Sequence, residues 1–171
     1  MTKRTRTGLL IASGILALPI AFLVYSCYEL GRAGRYDQHQ SDAALIESFN
    51  RHRAEFEQLR TMAMEDETLR YLDDDAVLPA EIDLVKVDEY RRLLKVAGLR
   101  GGMIRDATHI EFLSSSNSWG PSGSIKGYIV LMDKLDRTER VESLDSLTNV
   151  VEDTYFLRRI EDNWFLYFVT K

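Results

Sequence analysis

The sequence predicts an α+β fold: an N-terminal transmembrane or signal helix, then a long helix and a shorter helix packed on an antiparallel sheet of four to five strands. Residues 8–28 read GLLIASGILALPIAFLVYSCY without one charged side chain. Between residues 45 and 63, apolar side chains recur at spacings of three and four. Beyond Gly98 the pattern changes to short runs rich in β-branched and aromatic residues. The 171 residues therefore divide into an anchor or signal segment (1–28), a linker (29–40) and a single extracytoplasmic domain (41–171).

The apolar run of residues 8–28 is long enough, at 1.5 Å of rise per residue, to span a hydrocarbon core of about 30 Å. Lys3, Arg4 and Arg6 precede it, and this bias places the N-terminus in the cytoplasm. A cleaved secretory signal is the alternative, and it too exports the remainder. Cys27 is the only cysteine, so no intrachain disulfide can form. In a bacterium, Ser26 before Cys27 resembles a lipoprotein processing site, although Tyr25 fits that motif poorly. Cys27 is thus a candidate lipidation site, and an uncleaved span and a lipoprotein both stay open.

Removing Lys3, Arg4 and Arg6 from 22 basic residues leaves 19 against 27 acidic ones, a net charge of −8 for the exported part. Nucleic acid is excluded as a partner, because its phosphates need clustered Lys and Arg, and anionic membrane surfaces are disfavoured for the same reason. Residues 65–89 carry ten of the acids against Arg70 and Lys86. Within them Asp73, Asp74 and Asp75 are candidate contacts for a basic protein partner. A calcium loop would need alternating carboxylates, a turn glycine and a closing glutamate, which this segment lacks.

The domain's first helix is expected over residues 41–66, with Leu45, Phe49, His52, Phe56, Leu59 and Ala63 on one face and Ser41 or Asp42 capping its start. His52 lies in that stripe and reads as a half-buried structural histidine hydrogen-bonded to a carboxylate or carbonyl; with Glu55 it supplies only two of the three or four ligands a zinc site needs. No metal site and no cofactor is expected. A second helix over residues 87–97 is ended by Gly98, with Leu99 folding back on the last turn. Strands are expected at residues 101–106, 108–113, 124–133, 153–160 and 164–170. The last, WFLYFVT, is apolar on both faces and so belongs inside the sheet, which leaves Phe165 and Tyr167 as candidate partner contacts.

Residues 114–128, SSSNSWGPSGSIKGY, hold the one stretch that superficially resembles chemistry. GPSGS approaches a GxSxG nucleophile elbow but ends in Ser and leads into a strand where an elbow needs a helix. Its candidate bases are His39, His52 and His109. Lys126 lacks the preceding glycine and following helix of a phosphate loop. The expected role is a hairpin connection of about ten residues, with Trp119 at its tip as a candidate contact and no catalytic residue assigned.

The phrases VAGLRGGMIRD, IEFLSSS, GSIKGYIV and RRIEDNWFLYF, in that order, resemble a loose group of small uncharacterised bacterial membrane-anchored or lipoprotein-like proteins. The resemblance covers the chain from about residue 85 onward and implies a bacterial source and an antiparallel sheet, with no activity to carry over. The expected function is a membrane-tethered binding or structural protein of the envelope, held in the inner membrane with its domain in the periplasm. The alternatives are an immunity-type inhibitor that uses the acidic surface, and an unrecognised enzyme.

Overall fold

In the computed structural model the described residues are 39–80, 82–119, 122–147 and 150–170, with the backbone path alone for 118, 119 and 122. The predicted apolar span, Cys27 and most of the linker lie outside them. Among the described residues no helix is long and apolar enough to cross a membrane. The unit they form begins at His39.

The fold is α+β, but the expected four to five antiparallel strands are corrected to an eight-stranded mixed sheet in the order β2-β1-β3-β4-β5-β8-β7-β6. Its strands are β1 (Tyr71–Leu72), β2 (Val77–Leu78), β3 (Met103–Arg105), β4 (His109–Trp119), β5 (Ser122–Leu131), β6 (Thr138–Arg140), β7 (Tyr155–Glu161) and β8 (Trp164–Thr170). The three additional strands are β1, β2 and β6. Each has two or three residues, too few for an alternating apolar pattern to register. All three β6 residues are exposed, and β6 runs parallel to β7, which the return through residues 141–154 makes geometrically feasible.

The expected single long helix is two helices, α1 (Asp42–Arg51) and α2 (Arg53–Glu65), meeting at His52. His52 has φ −114° and ψ 28°, outside helical geometry, yet its N–H still donates to Ser48 O and its carbonyl accepts from Phe56 N–H. The apolar face therefore continues across the break: Leu45, Phe49, Phe56, Leu59 and Ala63 are all fully buried. The His52 ring is half-buried and makes no side-chain hydrogen bond among the described residues, contrary to the expected satisfied histidine. Helix α3 (Leu84–Val96) ends as anticipated. Gly98 adopts φ +73°, and Leu99 N–H donates to Leu94 O at 2.8 Å while Gly98 N–H donates to Lys95 O.

The helices pack on one sheet face around an aromatic core. Phe56 lies 4.6 Å from Tyr128 and 5.0 Å from Phe49 between ring centres, and Trp164 closes on both phenylalanines. The Tyr128 hydroxyl donates to Leu45 O, and Trp164 Nε1–H donates to Glu57, so both buried polar atoms are satisfied. Strand β8 is interior, as its two apolar faces require. Trp164 and Leu166 join the main core, while Phe165, Tyr167 and Val169 form a second cluster with Ile129 and Leu157 on the opposite face.

The serine-rich stretch is not a ten-residue loop. The β4–β5 ladder runs from His109↔Leu131 to Trp119↔Ser122, so the paired strands take in most of the expected loop. Polar residues continue the strands because ladder hydrogen bonds do not require apolar side chains once the core end fixes the register. A bulge between Leu113 and Ser115 interrupts that ladder. There the chains approach so closely that a Cβ on Gly127 would stand 2.2 Å from Phe112 O. Gly127→Ala is therefore expected to lower unfolding stability by about 3 kcal/mol, through a clash with backbone that cannot rotate away. Urea denaturation of the variant checks it.

Candidate functional site

The serine strands acquire a histidine from the linker. Nδ1 of His39 lies 2.7 Å from Ser115 Oγ and Nε2 lies 2.8 Å from Ser124 Oγ, and the ring meets Phe168 edge-on at 5.5 Å. Ser115 follows the bulge, and its ladder partner Lys126 lies two residues from Ser124, so all three point to the helix-bearing face with Tyr128. Burial first, then the Lys126 charge, lowers the His39 pKa. A neutral imidazole has one donor and one acceptor, so His39 donates to one serine and accepts from the other.

Behind this pair lies a charge-balanced network. Asp42, 1% exposed at the start of α1, places Oδ1 2.8 Å from Lys126 Nζ, an ion pair without hydrogen-bond alignment. Its Oδ2 accepts from Leu144 N–H at 2.7 Å, Ser143 Oγ at 3.2 Å and Arg158 Nη1 at 2.8 Å. Asp145 accepts from Lys126 Nζ at 2.6 Å and from Asp42 N–H at 2.9 Å. Ser41 takes the capping role, its side chain accepting from Ala44 N–H, which leaves the Asp42 carboxylate free to point inward. Two carboxylates thus face two cations, and the network ties α1, β5, β7 and the turn at Ser143–Asp145 together.

Burial would raise the Asp42 pKa, but Lys126, Arg158 and the Leu144 N–H outweigh it and hold the group at about 2, below its ordinary 3.8. A depressed carboxylate contributes stability above its unfolded-state pKa and loses it as the pH falls through the folded value. The stability advantage of the wild type over Asp42→Asn is accordingly expected to be complete above about pH 4 and to shrink as the pH falls from 3.8 toward 2. Unfolding free energies measured across that range check it.

A second buried polar group occupies the opposite face. The His109 ring contacts Thr108 Oγ1 and Glu111 Oε1, each at 2.9 Å, and the Tyr155 hydroxyl donates to the same Glu111 oxygen at 2.7 Å. Burial opposes ionisation of Glu111, yet His109 and Tyr155 more than compensate, and its pKa is lowered. The fully buried Tyr167 hydroxyl faces this carboxylate without reaching hydrogen-bond geometry. His109 and Glu111 are 6% and 4% exposed, so this cluster supports the sheet and is closed to a substrate.

Of the candidate bases, only His39 reaches the serines; His52 sits at the helix junction and His109 on the other face. No carboxylate bonds His39 among the described residues, so the arrangement lacks the group that orients a catalytic imidazole. Lys126 is committed to two carboxylates. No group of described residues is arranged to hold a metal ion.

The other candidate contacts are dispersed. Phe165 and Tyr167 are 4% and 0% exposed in the second cluster, and the Trp119 side chain and Cys27 lie outside the described residues. Asp73, Asp74 and Asp75 form the turn between β1 and β2, where the Asp73 carboxylate accepts from Asp75 N–H at 2.8 Å, Ala76 N–H at 2.6 Å and the Tyr71 hydroxyl. Only Asp74 and Asp75 stay exposed and uncommitted. Asp73→Ala is expected to cost about 1–2 kcal/mol in a urea titration, while Asp74→Asn and Asp75→Asn stay within about 0.5 kcal/mol of wild type.

The network was missed because its members are far apart in sequence, yet one signal was available. Lys126 stands in phase with the core residues Tyr128 and Val130, an inward cation that demands a buried partner. No protein family, curated protein or solved structure matches the chain.

Proposed function

We propose that this protein is a membrane-tethered, extracytoplasmic binding or structural protein of the bacterial envelope that acts without catalysis. The observation that carries the reading is the mutual satisfaction of the Asp42, Lys126, Asp145 and Arg158 charges, which leaves His39 with no carboxylate among the described residues to orient it as a catalytic base. The uncharged run of residues 8–28 supports the tether, and the resemblance of the second half to small bacterial proteins supports a bacterial source. In this reading His39 fastens the end of the linker to the β4–β5 hairpin, so the tether enters the domain at a fixed point. Crosslinking in intact cells, followed by purification of the tethered protein, tests the reading: a specific partner is expected, and its loss on His39→Ala in a folded variant identifies the clasp as important for presentation.

The pair of short His39–serine contacts favours one second reading, a serine hydrolase with Ser115 or Ser124 as nucleophile and His39 as base. A fluorophosphonate probe separates the two. Stoichiometric labelling of Ser115 or Ser124 that is abolished by His39→Ala supports the enzyme, and no labelling upholds the binding protein.

A further inference from the structure

The side chains of the described arginines nearly all have polar partners; only those of Arg100, Arg140 and Arg159 have neither an ion pair nor a hydrogen bond. Two of these are brought to one place. Arg159 is the cross-strand neighbour of Phe165, and Arg140, on the edge strand β6, holds its guanidinium over the Phe165 ring at 5.1 Å. Both arginines border a hollow of about 400 Å³ whose wall includes Val141, Leu157 and Glu142. In a domain with a large acidic excess, two adjacent unpaired cations are an unusual placement. The cation–π contact with Phe165 holds the Arg140 charge at the mouth of the hollow, and a guanidinium can meet a carboxylate or phosphate at two points.

We propose that Arg140 and Arg159 form a binding site for an anionic group, a carboxylate or a phosphate ester, on a ligand that enters the hollow beside Phe165. Glu142 is the one acid bordering this hollow, and it opposes anion binding. The adjoining hollow is bordered by Asp133 and Asp162 as well as the same arginines, so its charge is balanced and the anion belongs in the first. The apolar wall of Val141, Leu157 and Phe165 suits an organic solute or a protein-borne anion that carries an apolar group beside its charge.

The site names a ligand class for the binding reading and rests on it. The test uses the full chain in nanodiscs, with phenyl phosphate and benzoate as probes and the arginine Nε–Hε resonances as readout. In zwitterionic lipid, a saturable shift of the Arg140 and Arg159 signals is expected. Affinity should fall about tenfold or more in Arg159→Gln, the loss of one charge-assisted contact, with an unchanged melting temperature. Glu142→Gln should bind about threefold more tightly by removing a repulsion. Shifts already saturated in anionic nanodiscs before any probe is added would make a lipid headgroup the occupant and overturn the solute assignment. The absence of a saturable shift up to about 20 mM probe, or an equal shift in Arg159→Gln, overturns the site itself. If that happens while the crosslinked partner is retained, the anion site alone falls; if shifts persist and no partner is captured, the site stands with a small solute as its ligand.

Discussion

Asp42→Ala is expected to lower unfolding stability by about 3–5 kcal/mol, a large share of the 5–15 kcal/mol typical of a folded domain. The loss comes from what remains behind. Lys126, 3% exposed, would keep only Asp145, whose side chain is 42% exposed, while Leu144 N–H and Ser143 would lose their acceptor. Arg158, 30% exposed, can turn to water and suffers less. The joint replacement Asp42→Leu with Lys126→Met should recover much of the loss, because it removes both stranded charges together. Equilibrium urea unfolding of the single and double variants tests this, and equal stability of Asp42→Ala and wild type would contradict the network's role.

Phe56→Ala is expected to cost about 3–5 kcal/mol by opening a cavity at the centre of the aromatic core. Phe56 is fully buried, and its ring centre is within 4.6–6.3 Å of those of Tyr128, Phe49, Trp164 and Phe112. The cavity would fall where α2 meets β4, β5 and β8, among the rings of Tyr128, Phe49, Trp164 and Phe112. By contrast Val85, 76% exposed at the first turn of α3, should tolerate Ala within about 0.5 kcal/mol. Thermal unfolding of the two variants separates a core effect from a general loss of apolar content.

The parts of the fold that follow from local rules were legible in the sequence. The helical stripe through Leu45, Phe49, Phe56 and Leu59, the Gly98 stop and the interior position of β8 each depend on residues near one another in the chain. What escaped depends on distant partners. The helix break at His52 has no Gly or Pro to announce it, and the run Thr138–Arg140 becomes a strand only because β7 offers it an edge. The acidic triplet reads as surface charge, yet Asp73 serves as turn chemistry, its carboxylate holding the backbone of β1 and β2 together. His39 was identified beside the serines as a candidate base, but nothing local shows that the linker folds back onto β4 and β5. The unpaired Arg140 and Arg159 are likewise separated in sequence and meet only through the β6–β7–β8 arrangement.

The most direct test of a tethered extracytoplasmic protein is protease accessibility in spheroplasts of cells expressing the full chain, with the washed membranes analysed by mass spectrometry. The account predicts cleavage within residues 29–38 from the outside, release of the folded domain, and retention in the membrane of a fragment that contains residues 8–28. Complete protection of the chain until the cells are lysed, with all of it recovered in the soluble fraction, would contradict it.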